Sequence, residues 1–150
     1  MIVVWYEEWE MACCGSFFAL ESKVVWPVSK FHSFDSGYLP TDMEQQIGAV
    51  DYRYDMHASS SAGLYTLTGI IKNIKGVYFY FEPDPQKPNF YHRVSGFLTE
   101  MIDCDYWTEK KMAPKGKKGR VPRPSFDAYL IGIEDLEIRP IQDSDQHLWI

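Results

Sequence analysis

Residues 51–57 read Asp51-Tyr52-Arg53-Tyr54-Asp55-Met56-His57, with polar chemistry at every second position. In extended backbone successive side chains point to opposite faces, so Asp51, Arg53, Asp55 and His57 would share one face. Two carboxylates, a guanidinium and an imidazole on one strip could hold a cation, bind a phosphate or move a proton. The plainer alternative is a solvated strand face, with Arg53 bridging the aspartates while Tyr52, Tyr54 and Met56 turn inward. Both readings stay open at this point.

A second candidate is a charge run. Lys110, Lys111, Lys115, Lys117, Lys118, Arg120 and Arg123 lie within 14 residues that contain no acid. The whole chain has 15 Lys and Arg against 21 Asp and Glu, a net charge of −6, so the rest of it is strongly acidic. Lys115, Lys117, Lys118 and Arg120 could grip an anionic partner, and such binding would weaken with salt. A solvated loop is the bland alternative. No rings interleave with these lysines as they do in single-strand binders, so nucleic acid is a less favoured partner than a protein or nucleotide.

The three cysteines, Cys13, Cys14 and Cys104, suit neither of the usual chemistries. Adjacent residues rarely point at one metal, the histidines are scattered, and no metal is expected. A nucleophilic thiol wants a basic neighbour, which the flanking sequence lacks. The odd count and the strain of bridging neighbours favour three thiols in a cytoplasm, with Cys13 and Cys14 packing at a tight turn.

The elements that must position these residues are mostly strands. Ile2–Tyr6, Phe17–Leu20 and Val24–Val28 are short β-prone runs. Pro40-Thr41-Asp42-Met43-Glu44 carries a capping box and Gly48 a stop, giving one short helix. Tyr65–Ile74 and Val77–Phe81 flank Lys75-Gly76, which reads as a hairpin turn. In the second arm Val77, Phe79 and Phe81 face one way and Tyr78 and Tyr80 the other; the tyrosines could form an exposed stacking platform or pack across strands. Ser95–Cys104, Phe126–Ile133 and Glu137–Arg139 complete the strand set, and residues 110–124 form an exposed basic loop. The fold expected is mainly β: a small antiparallel barrel, SH3-like or OB-like, with one short helix, and a β-sandwich as the alternative.

Trp9-Glu10-Met11-Ala12-Cys13-Cys14-Gly15, followed by Phe18, Val24 and Trp26, resembles a bacterial family of uncharacterised small proteins. Its pattern is W-x-M-x-C-C-G, then Phe, a Gly-Asp turn and V-x-W. Thr68–Ile74 and Tyr129–Ile133 look similar to that family's later strands. Here Glu21-Ser22 stands where the pattern has Gly-Asp. The resemblance implies a mostly β fold and no assigned activity.

Composition bounds the rest. With 150 residues, 45% apolar and 24% charged, the chain suits one domain and is no disordered tract. It has no apolar run of spanning length and no signal-peptide pattern at MIVVWYEEWE, so a cytoplasmic protein without a membrane partner is expected. No phosphate loop, nucleophile elbow or zinc-protease motif is present, and no cofactor is expected. The function expected is a non-catalytic binding module engaging an anionic protein, nucleotide or nucleic acid, with the oligomeric state open. The alternative is a small hydrolase-like enzyme using Asp51, Asp55 and His57.

Overall fold

The computed structural model describes residues 1–56, 63–87, 89–104, 124–142 and 145. The elements are β1 (Ile2–Glu7), α1 (Glu8–Cys14), β2 (Lys23–Lys30), α2 (Thr41–Ile47), β3 (Tyr52–Tyr54), β4 (Leu64–Pro83), β5 (Tyr91–Met101) and β6 (Ser125–Pro140). The mainly β expectation is met. The sheet order is β2-β3-β1-β6-β4-β5, and β2 also pairs with β4, so five strands follow one another in a hydrogen-bonded ring. β5 lies outside that ring, against β4.

One pairing corrects the wholly antiparallel expectation: β1 and β3 run parallel, Val4 opposite Tyr52 and Trp5 opposite Arg53. Parallel neighbours need a long crossover, and the chain from residue 8 to residue 51, which includes both helices, supplies it. The second helix is a further correction. α1 occupies the Trp9–Cys14 motif, where only a turn was expected. Such short helices are set by tertiary packing rather than propensity.

The expected hairpin at Lys75-Gly76 does not form. β4 runs straight through it for 20 residues. Lys75 pairs with Leu130 and Glu100, and Gly76 with Tyr129 and Thr99, so both backbone flanks are occupied there. Gly76 is extended, outside the left-handed region that a tight primed turn demands. Likewise the two C-terminal strand pieces merge into β6. Phe17–Leu20 is no strand; it contributes a single bridge, Ala19 to Asp103.

Along one flank β4 pairs with β6 for nearly its whole length. On the other flank it meets β2 from Leu64 to Ile70 and β5 from Ile74 to Pro83. The seam between them is filled by the Ala19–Ser22 turn. Glu21 N–H donates to Ile71 O at 2.8 Å, Ile71 N–H to Ser22 O at 3.0 Å, and Leu20 N–H to Ile102 O at 2.9 Å. Glu21 takes φ 67°, a left-handed backbone normally given to Gly. This is the site at which the resembled pattern carries Gly-Asp. Here Ser22 Oγ accepts from Ala19 N–H at 3.1 Å, and Lys72 Nζ donates to Glu21 Oε2 at 2.9 Å.

Alternation along the strands makes two apolar layers. Val4, Tyr6, Trp26, Tyr54, Ile71 and Tyr129 belong to the first. Trp5, Val77, Phe79, Ala128 and Leu130 form the second, covered by Met43 and Ile47 of α2. Tyr78 therefore is no exposed platform: it is 1% exposed, stacked on Phe97 at 5.0 Å, and Tyr80 is half-buried. A strand covered on both faces buries both sets of side chains.

Within the first layer Tyr6 stacks on Tyr54 at 3.9 Å and 9° and meets Trp26 edge-on at 5.3 Å. Burial first, then Tyr54, raises the Tyr6 phenol above its ordinary value; burial also raises Tyr54. Cys104 is buried and its Sγ accepts from Phe18 N–H at 3.0 Å, whereas Cys13 is disulfide-bonded. That corrects the expectation of three thiols: an odd count excludes complete pairing, not one bridge.

Three outcomes follow from this packing. A Cβ at Gly69 would sit 2.4 Å from Ile133 Cγ2 and 2.7 Å from Glu134 O, so Gly69→Ala should cost about 1–3 kcal/mol in urea denaturation. Glu21→Gly should be neutral or stabilise by up to about 1 kcal/mol, since relief of the left-handed backbone offsets one exposed ion pair. Raised phenols contribute stability that is complete below the unfolded tyrosine value of about 10 and is lost as pH climbs beyond it. Tyr6 and Tyr54 should thus ionise only as the chain unfolds, giving a tyrosinate absorbance step coincident with loss of the β signal.

Candidate functional site

The 31–50 segment between β2 and β3 carries a developed surface among the described residues. Gly37, at φ 78°, turns the chain, and Tyr38 N–H donates to Asp35 O at 2.9 Å. Pro40 precedes α2, whose Met43 and Ile47 are buried against the second layer; Thr41 is the first helical residue rather than the cap. Phe34, Tyr38 and Leu39 pack against the same layer.

Rings organise this segment. Phe34 meets Trp5 edge-on at 4.8 Å, meets Phe31 at 4.7 Å, and stacks with Tyr38 at 5.5 Å and 10°. From β5, the Arg93 guanidinium lies 3.9 Å from the Tyr38 ring centre and about 5 Å from those of Phe79 and Phe81. Asp127 of β6 closes the group: its Oδ1 is 3.3 Å from Arg93 Nη2, and its Oδ2 accepts the Tyr38 hydroxyl. Burial, then the Asp127 charge, pushes the Tyr38 phenol well above its ordinary value. Arg93 Nε is buried with no hydrogen-bond partner among the described residues. These contacts fasten the loop to the sheet.

Against this base the segment forms an open cleft of about 630 Å³, lined by Phe31, His32, Phe34, Asp35, Leu39, Glu44 and Val50 among others. A smaller annexe of about 90 Å³ shares Phe31, Ser33, Phe34 and Asp35 and reaches Trp5, Glu7, Tyr38 and Arg53. The cleft lies in the size range of small-ligand sites. Its lining mixes rings with two carboxylates and an imidazole.

Of the residues singled out from sequence, the structure brings Arg53 to this annexe. The aspartates diverge. Asp51 Oδ2 accepts from Val3 N–H of β1 at 2.9 Å, and Asp55 Oδ2 accepts from Ser29 Oγ of β2 at 3.0 Å, so each secures a different neighbour of β3. His57, Lys115, Lys117, Lys118 and Arg120 lie outside the described residues. Among the described residues no group of three or more His, Cys, Asp and Glu gathers to hold a metal, and no helix is long and apolar enough to cross a membrane. Sequence reasoning missed the cleft itself. Its only signal was Phe31, Phe34 and Tyr38, three rings in a loop that has no motif.

Tyr38→Phe keeps the ring stack but removes the donor to a half-buried carboxylate. It should cost about 1–3 kcal/mol by chemical denaturation, with the β signal unchanged. A neutral result would show that Asp127 needs no phenol.

No curated protein and no solved structure matches the chain. The expectation of an uncharacterised family is met: residues 1–135 match the model of a family of unknown function, DUF6578, and the chain belongs to that family.

Proposed function

We propose that the protein is a non-catalytic binding module whose ligand-facing surface is the cleft of residues 31–50. The observation that carries this reading is the combination of an open cleft of about 630 Å³ with a base fastened by Trp5, Tyr38, Arg93 and Asp127. A surface held by buried contacts loses little conformational entropy when a partner docks. Asp51 and Asp55 are engaged in holding β1 and β2, which leaves them poorly placed for joint acid–base work.

The partner is taken to carry an anionic patch. Arg53 at the annexe and the run containing Lys115, Lys117, Lys118 and Arg120 supply the positive charge, and the match would be salt-sensitive. A bacterial cytoplasm is taken as the protein's compartment, where a disulfide at Cys13 would be transient.

A fragment screen followed by amide chemical shifts tests the cleft directly. Fragments should perturb Phe31, Phe34, Leu39 and Val50 together. Ser33→Trp, at an exposed position lining both cavities, should abolish those shifts while changing stability by no more than about 0.5 kcal/mol. Fragments that bind elsewhere, or that bind equally to the filled variant, would sink the proposal.

A further inference from the structure

The larger cavity has a distinct charge. Among the described residues its ionisable lining consists of Asp35, Glu44 and His32, with no Lys or Arg. The annexe adds Glu7 and Arg53. Neither Asp35 nor Glu44 makes an ion pair among the described residues, and both are exposed. Beside these carboxylates stand the half-buried rings of Phe31 and Phe34.

The molecule already shows what such a pairing of groups holds. Across the Phe34–Tyr38 stack the Arg93 guanidinium lies over Tyr38 at 3.9 Å while Asp127 takes its charge at 3.3 Å. A guanidinium is flat, weakly hydrated and forked, so it can stack on a ring and present parallel N–H groups to a carboxylate at once. An ammonium offers a point charge and gives up the stacking. The cleft presents the same two ingredients, ring and carboxylate, on an open surface. Its volume exceeds what one side chain fills, which leaves room for the flanking backbone of a peptide.

Resting on the binding-module reading of this cleft, we propose that it docks an arginine-bearing peptide segment of a partner protein. Phe31 and Phe34 receive the guanidinium plane, and Asp35 and Glu44 accept its N–H groups.

The probes are a blocked pentapeptide with two arginines, its citrulline counterpart, its lysine counterpart, and agmatine, each titrated into the full chain by calorimetry. The arginine peptide should bind at least about tenfold more tightly than the citrulline peptide, which keeps the shape and loses the charge. The lysine peptide should fall between them. Asp35→Asn with Glu44→Gln should weaken the arginine peptide about tenfold while the melting temperature holds, since neither carboxylate is engaged in the fold. Equal binding of citrulline, or full affinity in the double variant, would overturn the proposal. Agmatine binding without any peptide binding would overturn it too, by assigning the cleft to a small amine. If neutral fragments occupy the cleft and no guanidinium does, this inference falls and the binding-module reading stands.

Discussion

A strand of 20 residues exposes two rows of backbone donors and acceptors over a length of roughly 65 Å, and a buried row must be paired. In this protein β4 is that strand, and its pairing dictates the rest. No single neighbour among the described strands covers both flanks. β6 takes one flank almost entirely, while β2 and β5 divide the other. Because β2 also reaches β3, and β3 reaches β1 and so β6, the division of β4 is what closes the ring. Three register shifts along β4 and β6, at Thr68/Gly69, Ile71/Asn73 and Val77/Tyr78, give a strand of that length the bends closure requires. The seam where β2 leaves and β5 begins would strand the backbone of Ile71. The Glu21 turn supplies its partners.

The same arrangement explains why the cleft exists. Where β4 leaves the ring to pair with β5, its outward residues Val77 and Phe79 need cover. The 31–50 segment provides it, with α2 below and the Phe34–Tyr38 stack above. β5 is left as an outer strand, and unpaired edges invite association. Here the edge is blunted: a register shift falls at Tyr80/Phe81, the Gly96 N–H points at Asp42 of α2 at 3.5 Å, and Leu20 meets Ile102. The helix that guards the edge also fixes one wall of the cleft. Stability and surface are therefore supplied by one segment.

Much of this was legible in residue patterns, and the failures have physical causes. β-branched and aromatic runs marked β1, β2, β4 and β6 because such residues suit a pleated, buried surface. Pro40 to Gly48 marked α2. The alternation of Val77 to Phe81 was legible, but the choice between an exposed platform and cross-strand packing of Tyr78 was not, since a sequence cannot show that both faces are covered. Lys75-Gly76 looked like a turn because Gly breaks strands locally; non-local pairing with Glu100, Leu130 and Tyr129 overrode it. α1 escaped because Trp and Cys are poor helix formers and its two turns depend on packing. At the site, Arg53 was visible as a charged residue on an alternating strip. Tyr38, Arg93 and Asp127 were not, because three residues from distant segments meet only in the fold.

The division of β4 between its partners is tested most directly by amide hydrogen exchange on the intact chain. Continuous pairing requires an unbroken protected block from Ile74 to Phe79, with the amides of Lys75, Gly76 and Val77 as slow as their neighbours. Rapid exchange confined to Lys75–Val77, between two separately protected halves, would mean a turn there. It would contradict both the shared flank of β4 and the ring that rests on it.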